Sequence, residues 1–253
     1  LEIDGTFDDC QALVKRAFND PELKEKFRLT SANSINISRL IPQTFYYFNA
    51  YAQLLRKGIK EVVFSVPSGN FGNIGAGLLA FKMGLPVKQF LAATNANDTV
   101  PEFLRTGVYR AKPSVQTWSN AMDVGDPSNW VRIMDMFGGD RNELQKVLTA
   151  YSYNDEETLE AIKQVHAENG YIMCPHTAIA WLALKQWMND HQADEAAGVF
   201  LSTAHPCKFP DIFPEEIGVG IVIPEQVKEL EGKERLNSSL RNDFEEFKNF
   251  LLG

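Results

Sequence analysis

The sequence lacks several things that would each define a function class. It has only three cysteines, Cys10, Cys174 and Cys207. They form no CxxC pair and are odd in number, which excludes a disulfide framework and a zinc ribbon. The four histidines, His166, His176, His191 and His205, stand at no metal-ligand spacing with cysteines or carboxylates, so no metal site is expected. Basic charge is in deficit: 25 Lys and Arg against 33 Asp and Glu leave a formal net charge of −8. Without a basic excess the chain has no counterions to release from a polyanion, which argues against nucleic acid and anionic membrane surfaces as partners. Apolar runs are broken by charge or glycine well short of the roughly 20 residues a membrane span needs, and no basic-then-apolar signal layout opens the chain. A soluble protein of a reducing cytoplasm is the expectation.

What is present is ordinary globular composition, 44% hydrophobic over 253 residues, enough to bury one sizeable core or two. The chain opens at Leu1 rather than Met, already inside a plausible strand and turn, Leu1–Gly5, and reads as a piece of something longer.

Asp8 and Asp9 offer an N-cap, and Cys10, Leu13, Val14, Ala17 and Phe18 recur at helical spacing until Pro21. A second helix is predicted from Pro42 to Lys57, ended by Gly58. Glu61–Val66 reads as a buried strand, Gly72–Met83 as a helix after a glycine-rich turn, and Val87–Thr94 as the next strand. The order strand, helix, strand implies parallel pairing through a crossover. The pattern recurs with a helix over Asp155–Asn169, a short strand over Tyr171–Cys174, a helix over Thr177–Asp190 and a strand over Gly198–Thr203. Such alternation predicts an α/β fold, a mostly parallel sheet with helices on both faces and ligands at the carboxyl ends of its strands. Near the C-terminus Leu240, Phe244, Phe247 and Leu251 form an apolar helical stripe that should dock on the body of the fold.

Four glycines, Gly69, Gly72, Gly75 and Gly77, lie between the strand ending at Val66 and the helix that follows. Glycines there let backbone fold tightly around an anion, which the helix N-terminus also favours; a purely structural turn is the alternative. A Walker A loop is excluded, because no Lys-Ser/Thr pair follows these glycines. A dinucleotide site stays open, since Gly75-Ala-Gly77-Leu-Leu-Ala80 fits GxGxx[GA] and Asp98 stands near the end of the next strand. Against it, Gly75 falls well after the strand end that this fingerprint requires.

The run Ser65-Val-Pro-Ser-Gly-Asn-Phe-Gly-Asn-Ile-Gly-Ala-Gly77 resembles the phosphate loop of the threonine synthase family, within the tryptophan synthase β-like pyridoxal-phosphate (PLP) enzymes of fold type II. The resemblance takes in Gly5–Gln11, Ser31–Asn36 with Arg39, Ala93–Asn97, Ser119–Val124 with Pro127–Asn129, and Ser202–Pro206 with Lys208 and Phe209. It implies conversion of O-phospho-L-homoserine and water to L-threonine and phosphate. By the same resemblance Gly69, Asn70, Phe71, Gly72 and Asn73 hold the PLP phosphate and Thr203 meets the pyridine nitrogen. Ser31, Asn33, Ser34, Asn36 and Arg39 line the substrate, with His205 and Lys208 as further positive groups; the residues alone also allow helix capping and solvated loops there. His176, at a helix start, resembles a segment lining the cofactor cleft, with capping or packing as its ordinary reading.

The resemblance also implies a Schiff-base lysine in a Lys-Asp-Phe-Gly-like motif, and no lysine of this chain stands in such a context. The expectation is therefore a C-terminal portion, with residues 1–30 a remnant of the small domain and 31–253 the large phosphate-binding domain with its C-terminal helix. Such a chain would be inactive without the missing N-terminal region. A non-catalytic PLP-fold binding module and an NAD(P)-dependent oxidoreductase are the other classes left open.

Overall fold

The computed structural model describes residues 1–193 and 195–253. In chain order the elements are β1 (Glu2–Asp4), α1 (Phe7–Asn19), α2 (Pro21–Lys26), α3 (Thr44–Arg56), β2 (Val62–Pro67), α4 (Gly72–Lys82), β3 (Gln89–Thr94), α5 (Thr99–Thr106), α6 (Trp130–Met136) and α7 (Arg141–Gln145). They continue with β4 (Leu148–Ser152), α8 (Asp155–Asn169), α9 (Pro175–His191), β5 (Ala197–Phe200), α10 (Glu215–Gly218), α11 (Glu225–Lys228), β6 (Ser239–Arg241) and α12 (Phe244–Leu252). No helix among the described residues is long and apolar enough to cross a membrane.

Two compact units result. The first joins Leu1–Ala32 to Ile223–Gly253, and the second is Asn33–Val222. In the first, β1 pairs in parallel with β6, Ile3 opposite Leu240. Thr6 and Asp9 close a capping box that starts α1. Phe244 of α12 is buried with Leu13, Ala17 and Leu23, and Phe247 and Leu251 pack beside it. The C-terminal stripe thus packs on α1 and α2 within the first unit. Its apolar face meets Leu13 and Ala17 of α1.

The second unit carries a four-stranded parallel sheet in the order β4-β3-β2-β5. Both central strands, β2 and β3, are buried along their whole length, which is why they read as continuous apolar runs. Alternation divides them between two faces. Val62, Phe64, Val66, Phe90 and Ala92 pack with α3, α4 and α6, whereas Val63, Leu91 and Ala93 pack with Ile179, Ala180, Ala183 and Leu184 of α9. Ser65, also on the α9 side, satisfies its hydroxyl by donating to the Ala180 carbonyl at 2.6 Å.

Two strand assignments change. Tyr171–Cys174 pairs with no strand; it is the link between Gly170, the left-handed cap of α8, and Pro175, the first residue of α9. Its apolar character serves burial of Met173 and Cys174 in a third cluster with Phe209 and Phe213. Conversely Leu148–Ser152 is the edge strand β4, half-buried and carrying Thr149 and Ser152, so it offers no apolar run. The strand predicted over Gly198–Thr203 ends at Phe200, which leaves Thr203 in the loop beyond the strand's carboxyl end.

Gly77 shows how closely α4 seats on this core. A Cβ there would lie 2.7 Å from ring atoms of both Phe90 and Tyr47, two fully buried side chains. Gly77→Ala should therefore destabilise the unit by about 1–3 kcal/mol, the usual cost of overpacking, read as a lower urea midpoint with unchanged slope.

Candidate functional site

The site begins where β2 ends. Pro67 is the last strand residue, Ser68 N–H donates to the Ala93 carbonyl at 2.8 Å, and α4 starts at Gly72. Phe71, its N-cap, is left-handed (φ 57°, ψ 18°), an uncommon state for a residue with a bulky side chain. Burial of its ring, edge-on to Trp130 at 5.5 Å between centroids, holds it there. No side chain caps α4. Asn73 Oδ1 takes the Ile74 N–H, so the N–H groups of Gly72 and Asn73, with the positive end of the helix dipole, remain at the start of α4, the arrangement that binds phosphate.

Space around the loop is tight. A Cβ on Gly69 would lie 2.6 Å from Met122 Cα, and one on Gly72 would lie 2.8 Å from Ser34 Cβ. Gly75 and Gly77 lie inside α4, where Gly77 serves packing, so the dinucleotide fingerprint does not sit at a strand end.

The side chains of the two asparagines bond within the protein. Asn70 donates to Ser34 Oγ at 2.8 Å and accepts from Ser128 N at 2.7 Å and Ser128 Oγ at 2.9 Å. Asn73 donates to the Pro67 carbonyl at 2.8 Å, accepts from Ile74 N, and its own carbonyl receives the Tyr47 hydroxyl at 2.8 Å. Both side chains brace the loop.

A cleft of about 910 Å³ opens beside this loop, with Asn73 and Thr203 both in its wall together with Arg39, Gln43, Tyr46 and Ser202. Thr203 is positioned by its neighbour: Thr177, at the start of α9, donates to Ser202 Oγ at 3.2 Å. Burial pushes the Tyr46 phenol up to about 12, so it lines the cleft as a neutral group.

Other expected residues fall outside the wall. Asn33, Ser34 and Asn36 shape the turn before α3, Asn33 Oδ1 accepting from Ser34 N at 2.6 Å and Asn36 Oδ1 from Ser38 N at 3.0 Å. Arg132, which carried no sequence signal, donates to the Ser34 carbonyl at 2.9 Å, to Asn129 Oδ1 at 2.7 Å and to the Ile35 carbonyl. His205 Nδ1 accepts from Cys207 N and caps a short turn, and both His205 and Lys208 are exposed. Ser31 belongs to the first unit. His176 is 2% exposed, neither ring nitrogen has a partner, and burial together with the Lys208 charge pushes it down to about 4. It is a neutral packed ring, 5.1 Å from that of Phe209. Among the described residues no group of His, Cys, Asp and Glu could hold a metal.

An open parallel sheet, a glycine loop leading from a strand end into an uncapped helix, and a cleft at the same edge define a protein that holds a phosphate-bearing ligand. Comparison with known proteins narrows the class. The chain belongs to the pyridoxal-phosphate dependent enzymes, whose family profile matches residues 1–203, and the profile for the threonine synthase C-terminal region matches residues 177–251. It is 47% identical to threonine synthase of Serratia marcescens and 45% identical to that of Escherichia coli, each over the whole chain and 58% of the relative. The crystal structure of threonine synthase from Escherichia coli superposes with a TM-score of 0.87, at 44% identity, over 99% of this chain and 57% of that one. A PLP-bound threonine synthase from Brucella melitensis gives 0.82 at 33% identity, over 98% and 58%. The fold is that of type II PLP enzymes and the cofactor is pyridoxal 5'-phosphate. The chain spans a little under three fifths of the length of the curated relatives it matches.

Proposed function

We propose that this chain provides the cofactor-phosphate half of a threonine synthase, a PLP-dependent lyase that converts O-phospho-L-homoserine and water to L-threonine and phosphate. The observation that carries the reading is the convergence of Asn73, in the first turn of α4, and Thr203, in the loop after β5, on one cleft. The N–H groups of Gly69 to Asn73 would hold the cofactor phosphate, while the side chains of Asn70 and Asn73 keep the loop in shape. Thr203 would offer a hydroxyl to the pyridine nitrogen. PLP supplies an electron sink once bound, and a hydroxyl, unlike a carboxylate, does not hold that nitrogen protonated.

Arg39 lies in the cleft wall with a planar fork suited to a carboxylate or phosphate of the substrate. His205 and Lys208 are exposed, on the loop that follows Thr203, and would add positive potential in an otherwise acidic protein. Asn33, Ser34 and Asn36 would act through the shape of the turn that carries Arg39. The covalent anchor and main proton carrier would be a lysine of an N-terminal region, for which the greater length of the relatives leaves room. On this reading the chain alone is inactive. Its three cysteines are free, as suits the cytoplasm.

The test is phosphate release from O-phospho-L-homoserine by the protein expressed together with its upstream coding sequence, beside the 253-residue chain alone. The longer protein should turn over and the chain alone should not. PLP bound by the longer protein with no turnover would leave a binding module as the better description.

A further inference from the structure

The phosphate loop is held from outside by a strap that the proposed chemistry does not use. Residues 119–129 touch the loop at two places. Met122 Cα closes on Gly69, and six residues later Ser128 and Asn129 hold Asn70 through its side-chain oxygen and its carbonyl, the latter at 2.9 Å. Asp123 sits between these two contacts. Its carboxylate accepts from Thr117 N at 3.0 Å, Thr117 Oγ1 at 2.7 Å, Asn95 Nδ2 at 2.8 Å and Asn97 Nδ2 at 3.2 Å.

The asparagines belong to the carboxyl end of β3. Asn95 is 1% exposed, Ser152 of β4 donates to its carbonyl at 2.7 Å, and its side-chain oxygen receives Asn97 N and Nδ2. The strap is thereby fastened to the carboxyl ends of β3 and β4. All four donors to Asp123 are neutral, and burial raises its carboxyl above the usual range in spite of them. A half-buried carboxylate without a cation in its shell is costly, and such a group persists where its geometry is needed.

We propose that Asp123 is a positioning residue for the cofactor's phosphate: by pinning the 119–129 strap to Asn95 and Asn97 it fixes Gly69 and Asn70, and with them the N–H groups that hold the phosphate. The inference rests on the loop being the PLP-phosphate site. It assigns Asp123 no contact with cofactor or substrate.

The experiment compares binding of PLP and of pyridoxal, which lacks the phosphate, to the full-length protein and to Asp123→Asn, by absorbance titration, with melting of the cofactor-free proteins alongside. Asn cannot present acceptors to all four donors. The wild type should prefer PLP strongly, and D123N should weaken PLP tenfold or more while pyridoxal changes less than twofold. Equal weakening of both ligands would make Asp123 merely structural and overturn the proposal. A wild type that binds PLP no better than pyridoxal would instead overturn the reading of the loop itself. If D123N does not fold, Thr117→Val removes one of the four donors to the carboxylate, and a selective three- to fivefold loss of PLP affinity is expected; no selective loss there also overturns the proposal.

Discussion

Gly69→Ala should weaken PLP binding thirty- to a hundredfold in the full-length protein. Backbone conformation is not the cause, since Gly69 is not among the residues with positive φ. Space is. The new methyl group would sit 2.6 Å from Met122 Cα and 3.1 Å from the Ala121 carbonyl, and both are backbone atoms that cannot rotate away. One side of the contact is anchored to β2, whose next residue Ser68 is bonded to Ala93, and the other is fastened through Asp123 to the end of β3. Overpacking of a site that cannot yield costs about 2–3 kcal/mol. Here that cost is met by displacing the loop, so it appears in cofactor affinity, where 1.4 kcal/mol is about tenfold.

Gly75→Ala is the matching control. Its Cβ would meet nothing closer than 3.6 Å, in ordinary contact with Leu40, inside a helix where alanine is favoured over glycine by about 0.5–1 kcal/mol. It should leave PLP affinity unchanged and raise the melting temperature slightly. PLP titrations of the two variants check both statements. Equal losses from G69A and G75A would show that the anion lies further into α4 than the strand end suggests.

This contrast also marks what the sequence could and could not reveal. Four glycines in nine residues announced an anion site, yet only the structure separates Gly69 and Gly72, pressed against backbone and Ser34, from Gly77, pressed against two rings. The central strands were legible because β2 and β3 are buried on both faces and carry no polar alternation. The edge strand β4 was not, because only Leu148 of it is fully buried and its sequence mixes polar with apolar residues. Thr203 could be placed at a strand end from pattern alone, within three residues. Asn70 was recognisable as a loop residue and Asn73 as one of the first helix turn, but a short amide side chain gives no sign of whether it points at a ligand or back at the protein. The strap was the least visible part. Asn95, Asn97, Ser119 and Asp123 are polar residues in apparent loops, and nothing local says that three of them are buried and bonded to one carboxylate or to each other across 28 positions.

Acid should destabilise the second unit through His176 by about 2–3 kcal/mol between pH 7 and pH 4. In the folded chain the imidazole is buried and faces the positive charge of Lys208, and these push it down to about 4 against a smaller opposing contribution from the Ser119 backbone. In the unfolded chain it protonates near pH 6.5. Between these values the unfolded state binds a proton that the folded state refuses. The contribution is therefore fully present above about pH 6.5 and is lost progressively as pH falls toward 4. His176→Leu keeps a similar volume against Phe209 and removes the titration. The measurement is the difference in unfolding free energy between wild type and H176L at several pH values, so that the carboxylates common to both cancel. That difference should shift by about 2–3 kcal/mol in favour of the variant from pH 7 to pH 4. Parallel curves would mean that the ring finds a proton acceptor in the folded protein, and a catalytic part for His176 would then regain ground over packing.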